Sequence, residues 1–335
     1  METVVNKENI VGLLRNKKFQ LSLTILLLLI ILIFSSMIRI QNLDLLEDQT
    51  TGEKIPLALD PYYFLRIAET LEANDGDLPE CDRMRPFGGL CKEWHTEILP
   101  QSSVLIYKIG NIFNQSFTLR YAHVLNPVIF FILGLISFFF LIYVLTNSRI
   151  AALLSCGFLA FIPTYLYRTM AGFSDHESIG MFAFFLFLLG LSLSLKYLDK
   201  NKKPINSGLL GLLVGFLSAF TIASWGGIAK FVFMILPLSF LIFWLIKRKK
   251  EKIKVLMNTS ITYVLWILFT ILITPLISGH TSLGVITKYL LTSSGLISLA
   301  VLGFILVDLI LLYLQNKEII KINKKYGLLY TLGIL

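Results

Sequence analysis

Residues 19–39 read Phe-Gln-Leu-Ser-Leu-Thr-Ile-Leu-Leu-Leu-Leu-Ile-Ile-Leu-Ile-Phe-Ser-Ser-Met-Ile-Arg. This run decides the fold. About 20 apolar residues in helical conformation span the roughly 30 Å hydrocarbon core of a bilayer. The run is too long and unbroken for a secretory signal, and no Ala-x-Ala site follows it. It is expected to be a retained first transmembrane helix, with the polar segment 1–18 in the cytoplasm. Further apolar runs follow at 121–146, 150–166, 178–198, 206–223, 228–246, 255–277 and 292–314. A ninth begins near Tyr326, and the sequence stops inside it at Leu335. The expectation is an all-α polytopic membrane protein with eight complete helices and a truncated ninth.

Composition agrees. Hydrophobic residues make up 56% of the chain and charged residues 15%. The net charge of +9 comes from basic residues that flank the apolar runs, which is an orientation signal and argues against nucleic acid as a partner. Counting crossings from a cytoplasmic N-terminus puts the basic loops Lys196–Lys203, Lys247–Lys254 and Lys317–Lys325 inside, as the positive-inside rule requires. The same count puts 40–118, Tyr167–Glu177, Ser224–Gly227 and Ser278–Leu291 outside. The large 40–118 loop holds 13 of the 21 acidic residues. Residues 119–335 form the multi-helix transmembrane part.

Two acidic stretches stand on that external face. Asp60-Pro61 opens a segment in which Tyr63, Ile67 and Leu71 recur at four-residue spacing, which predicts an amphipathic helix on the membrane surface. The second stretch, Tyr167-Arg-Thr-Met-Ala-Gly-Phe-Ser-Asp-His-Glu177, packs Arg168, Asp175, His176 and Glu177 between two apolar runs. Ionisable groups in such a place resist leaving water and mark sites. Simpler readings stand beside that one. Ser174-x-x-Glu177 fits a capping box, and Asp60 fits a helix cap. Arg168 can snorkel to headgroups, and His176 can be an ordinary hydrogen-bonded residue. The functional reading is that carboxylates from separate segments bind one hard divalent cation, Mn²⁺ or Mg²⁺, while Arg168 holds a phosphate.

Arg168-Thr-Met-Ala-Gly-Phe-Ser-Asp-His-Glu177 resembles the second acidic motif of the oligosaccharyltransferase catalytic subunit in its archaeal and bacterial single-subunit forms. Leu59-Asp-Pro-Tyr-Tyr-Phe-Leu-Arg66 is similar to that family's first acidic motif. Ala223-Ser-Trp-Gly-Gly-Ile-Ala-Lys230, running on to Leu238, resembles its Trp-Gly-Gly stretch. The three occur in the family's order. The resemblance implies a GT-C-type transmembrane domain and metal-dependent transfer of a glycan from a dolichyl phosphate or diphosphate to the Asn of Asn-x-Ser/Thr. Asp60 and Glu177 would be catalytic; Asp60, Asp175 and Glu177 would bind the metal, with Glu177 a ligand itself or a support for one. Arg168 would bind the donor phosphate. His176 and Trp225 would support these groups, with an interfacial turn as the plainer reading of Trp225. The implied partners are a lipid-linked oligosaccharide, an acceptor polypeptide and membrane lipids.

The sequence departs from the family's pattern. The external Glu after the ninth helix and the soluble domain with Trp-Trp-Asp-Tyr-Gly are absent, so the 335-residue chain is expected not to glycosylate alone. Two other classes remain: another lipid-phosphate-dependent glycosyltransferase, and an inactive scaffold or transporter fragment. The second acidic motif argues against the first. A site at the helix ends, away from the bilayer midplane, argues against a transporter. Cys81 and Cys91 can pair or stay free; Cys156 and Asp308 are read as packing and helix-pairing residues. Asn114-Gln-Ser116 is an external sequon, and Asn258-Thr-Ser260 a cytoplasmic one expected to stay unmodified.

Overall fold

The computed structural model describes residues 16–82, 90–91, 98–200, 203–249, 253–278, 282–320 and 327–334. Most of the polar N-terminal segment, Arg83, Arg85, Lys92, Glu93 and Glu97 of the acidic loop, and positions 201–202, 250–252 and 321–325 of the basic loops lie outside these residues, as does Tyr326 at the start of the last run.

Helix α1 (Lys17–Ile40) is followed by the short helix α2 (Leu59–Ala73), a two-stranded ribbon β1 (Cys81–Asp82) and β2 (Leu90–Cys91), and α3 (Ile98–Phe113). The bundle continues with α4 (Leu119–Thr146), α5 (Arg149–Phe161), α6 (Pro163–Tyr167), α7 (His176–Lys200), α8 (Pro204–Ser224), α9 (Ala229–Lys249) and α10 (Ile253–Ser278). It closes with α11 (Ser282–Val285), a π turn at Ile286–Leu290, α12 (Ser293–Asn316) and α13 (Gly327–Ile334).

Among the described residues seven helices are long and apolar enough to cross a membrane. Their outer faces carry large apolar side chains with no protein cover: Leu26 is 54% exposed, Phe34 60%, Ile242 59% and Leu272 60%. Such surfaces are stable only against lipid. The expected run 150–166 departs from a single helix. Ile162 is extended and Pro163 starts a new turn, so α5 has 13 residues and α6 five. The residue before a proline is pushed out of the α region, which accounts for the break.

Close approach of α8 to α10 gives the bundle its main seam. A Cβ on Gly211 would lie 2.6 Å from the Thr262 carbonyl, and one on Gly215 would lie 2.9 Å from Phe269 Cβ and 3.1 Å from the Trp266 carbonyl. Small residues four apart permit this backbone contact, which lipid cannot supply. Trp266 Nε1 crosses the seam to Ser218 Oγ (2.9 Å), and Thr262 Oγ1 donates to the Ser207 carbonyl (2.8 Å).

The helix expected from Asp60 is present as α2, but its apolar face is not free for a membrane surface. Phe64, Ile67 and Leu71 are buried with Ile98 and Leu99 of α3 and Ile179 of α7. Around it the acidic loop is braced by its own ion pairs. Arg66 grips both oxygens of Asp82 at 2.8 and 2.6 Å, and Arg120 bridges Glu53 (2.5 Å) and Glu69 (2.8 Å). The Thr50 N–H and the Thr50 and Thr51 hydroxyls hold the Asp48 carboxyl below its ordinary range. Cys81 is disulfide-bonded, and the ladder sets it opposite Cys91.

At the far end of the bundle Asp308 is fully buried. It accepts from Trp244 Nε1 (2.9 Å), Arg248 Nε (2.8 Å) and Thr331 Oγ1 (2.8 Å), which fixes α13 against α9 and α12. Its reading as a helix-pairing residue holds. Cys156 is buried and free, as expected of a packing residue. Asn258 is 2% exposed inside α10 and Asn114 is exposed before α4.

Replacing Gly211 with Val is expected to force α8 and α10 apart at a backbone contact. The cost should be about 1–3 kcal/mol, read as a lowered thermal midpoint in detergent, while Gly157→Val, whose Cβ meets nothing within 4 Å, should leave the midpoint nearly unchanged.

Candidate functional site

The site is assembled around one helix that contains a proline. In an α-helix each N–H bonds the carbonyl four residues earlier. Pro127 lies inside α4 and has no N–H, so the carbonyl of His123 is left without its helical donor. Ser174 Oγ donates to that carbonyl, and Gly172 N–H donates to the neighbouring Val124 carbonyl at 2.8 Å. Gly172 takes φ +86°, and a Cβ there would meet Leu46 at 2.6 Å, so the turn needs glycine. The second acidic stretch is thereby pinned to α4 one residue before Asp175.

This corrects the capping-box reading. Ser174 is fully buried with its hydroxyl turned into the bundle, and Asp175 Oδ1 accepts from the His176 N–H (2.7 Å) where α7 begins. Asp60 does not cap α2 either. The N-cap is Ala58 and Asp60 stands in the first turn, exposed, where a negative charge meets the positive helix end.

From behind, Arg39 at the end of α1 supports the same turn. Its guanidinium is fully buried, donates from Nε to Thr169 Oγ1 (2.7 Å) and from NH2 to the Ala160 carbonyl (2.9 Å), and lies 3.4 Å from the Phe131 ring centre. The Arg39 carbonyl accepts from Ala171 N–H at 2.8 Å. Sequence reading did not single out Arg39 or His123. Their signal is a polar side chain inside or at the end of an apolar run, which is costly in lipid unless satisfied.

Arg168 is drawn to the acidic turn itself. Its NH1 lies 3.0 Å from Glu177 Oε1, and its guanidinium carbon stands 4.8 Å from the Phe173 ring centre. The Arg168 side chain remains 44% exposed, so one face of the cation is open. Glu177 Oε2 is buried with no hydrogen-bond partner. An ionised oxygen buried without a donor is unfavourable by itself and fits a site built for a cation.

His176 is a bridging residue. Its Nδ1 bonds the Ser224 carbonyl (3.1 Å), so the proton sits on Nδ1, and its ring packs edge-on to Phe64 at 4.7 Å between centres. Phe64 lies one helical turn beyond Asp60, which brings the start of α2 to the start of α7. Trp225 packs on the same turn of α7: a Cβ on Gly180 would lie 2.8 Å from Trp225 Cβ. Asp60, Arg168, Asp175, His176, Glu177 and Trp225 therefore share one end of the bundle, opposite to Asp308. They are not drawn into one tight cluster. Among the described residues no three His, Cys, Asp or Glu side chains stand close enough together to hold a metal ion. Asp175 and Glu177 flank His176 at the start of α7, and Asp60 stands on the neighbouring helix end.

A bundle of apolar helices with an ion-paired acidic turn at its rim defines a polytopic membrane protein whose polar site faces outward from one end. The family model for "Oligosaccharyl transferase STT3, N-terminal" matches residues 25–334, and the chain belongs to this family. A dolichyl-phosphooligosaccharide-protein glycotransferase of Methanococcus voltae is 25% identical over 232 residues, covering 63% of this chain and 25% of that protein. The Archaeoglobus fulgidus oligosaccharyltransferase, solved tethered to an acceptor peptide containing the NVT sequon, gives a TM-score of 0.69 at 17% identity, over 95% of this chain and 38% of that one. The same protein solved with Zn and sulfate gives 0.66 at 16% identity, over 92% and 38%. These structural likenesses show the fold. The chain spans a quarter or less of the length of the curated relatives it matches.

Replacing Ser174 with Ala is expected to leave the His123 carbonyl buried and unpaired. The loss should be about 1–3 kcal/mol, seen as a lower thermal midpoint that Ser174→Thr largely restores.

Proposed function

We propose that this chain forms the membrane part of a glycan-transfer site, acting on a dolichyl phosphate or diphosphate donor and the Asn amide of an Asn-x-Ser/Thr acceptor. The carrying observation is the Arg168–Glu177 pair, in which one carboxylate oxygen is buried without a partner beside Asp175. Family membership supports the reading, as do the Methanococcus relative's name and the sequon peptide on the Archaeoglobus enzyme. Asp60, Asp175 and Glu177 are the oxygen donors that would hold a divalent cation, with Mn²⁺ or Mg²⁺ the suitable hard ions. The Archaeoglobus enzyme's capture with Zn and sulfate supports a metal in this fold.

When bound, the cation would supply positive charge where negative charge develops on the departing phosphate. Arg168 holds the donor phosphate through its open face and adds to that stabilisation. Asp60 and Glu177 hold and polarise the acceptor amide, whose nitrogen is otherwise a poor nucleophile. The basic loops favour a cytoplasmic N-terminus, which sets this end of the bundle on the extracytoplasmic face.

Mn²⁺ titration followed by electron paramagnetic resonance tests the site. Asp175→Ala and Glu177→Gln are each expected to weaken binding about tenfold or more. Binding of a dolichyl phosphate to the purified chain should weaken about tenfold in Arg168→Ala, as for loss of a charge-assisted hydrogen bond. Unchanged Mn²⁺ affinity in both carboxylate variants would favour the scaffold reading.

A further inference from the structure

We propose that His123 is the positioning residue that sets Asp60 relative to Asp175. The inference rests on the reading above, in which the two carboxylates serve one site. His123 lies on α4, belongs to neither acidic motif, and is fully buried.

Its ring reaches the first motif. Nε2 lies 2.9 Å from the carbonyl of Pro61, the residue after Asp60. A carbonyl can only accept, so Nε2 carries the proton. Nδ1 must then accept, and Ser103 Oγ stands 2.9 Å from it. Ser103 in turn accepts from Asn126 Nδ2 (3.0 Å), which also donates to Ser102 Oγ (2.8 Å). The Ser103 hydroxyl has the Leu99 carbonyl at 3.3 Å as a second acceptor, and His123 Nδ1 at 2.9 Å is the nearer. With that donation the hydrogen bonds run in one direction: Asn126 to Ser103, Ser103 to His123, His123 to Pro61. This chain fixes the tautomer and ring angle of His123, and with them the carbonyl that it holds.

Its backbone reaches the second motif. The carbonyl freed by Pro127 accepts from Ser174, the residue before Asp175. One residue therefore contacts the chain next to each of the two aspartates, and the hydrogen bonds on both ring nitrogens hold the ring in the rotamer that joins them. A packing role alone would need neither a directed donor nor a particular ring nitrogen.

Gln and Asn separate the two ring functions. The Gln amide reaches where Nε2 stands and can still donate to Pro61, whereas the shorter Asn amide reaches only the Nδ1 position. His123→Gln, His123→Asn and His123→Ala are compared in the full chain by dipolar spectroscopy of spin labels at Leu59→Cys and Tyr167→Cys, which are exposed positions beside Asp60 and Arg168. A control pair at Leu209→Cys and Leu268→Cys, exposed on α8 and α10, reports the fold. The proposal expects the 59–167 distance distribution to broaden in the Asn and Ala variants and to stay narrow in Gln. Mn²⁺ affinity should fall about tenfold in Asn and Ala and stay near the original in Gln, as for residues that orient metal ligands. If the Ala variant also broadens the control pair, Gln against Asn decides. Asn and Gln distributions of equal width overturn the proposal. Absence of Mn²⁺ binding in the original chain would sink the transfer-site reading, while the label distances still judge His123.

Discussion

A backbone carbonyl in lipid must find a donor within the protein, and a proline inside a transmembrane helix leaves one carbonyl without its own. This chain meets that constraint twice with serine from a neighbouring segment. Pro127 frees His123, whose carbonyl takes Ser174; Pro237 frees Phe233, whose carbonyl takes Ser298 Oγ at 3.1 Å. The second case joins two helices within the core. The first joins a helix to an irregular segment, and that segment carries the acidic turn. Much of the site's position follows from this exchange of a helical bond for one across the fold.

The two ends of the bundle treat charge differently, and the contrast separates structure from function. Asp308 is fully buried and has donors from Trp244, Arg248 and Thr331. Removing any one would leave a buried charge poorly paired, and nothing there is open to a ligand. Glu177 is partly exposed, has one ion-pair partner, and keeps an oxygen with none. Arg168 beside it is open on one side. A pair whose members are each half-satisfied can take up an external anion and an external cation without a buried bond being lost.

Much of the fold was legible in hydropathy, because in lipid each span must satisfy its own backbone and so writes itself as one long apolar run. The runs at 178–198, 206–223 and 255–277 correspond to α7, α8 and α10 within a few residues. The 150–166 run did not show its break, because hydropathy averages over Pro163 while backbone geometry does not. The acidic residues were legible as a group, yet their roles at helix ends were not. Ser174 and Glu177 have the spacing of a capping box, but the local bond lost to the freed carbonyl of His123, which lies 51 residues away in sequence. Spacing records only local competition; His123, Arg39 and Asn126 act across the fold.

The two acidic motifs are held with unequal firmness. Asp175 stands at the start of a 25-residue transmembrane helix, beside a segment tied to α1 and α4 by backbone hydrogen bonds. Asp60 belongs to a 15-residue helix in the first loop. That helix is fixed by its buried Phe64–Ile67–Leu71 face, by Leu57 N–H on the Gly172 carbonyl (2.9 Å), and by the Pro61 carbonyl on His123. Apolar contacts set which face is buried but tolerate sliding by fractions of an ångström; hydrogen bonds to backbone do not. A site that joins oxygens from both segments therefore depends most on the few polar contacts near Asp60, and it is those that α4 supplies.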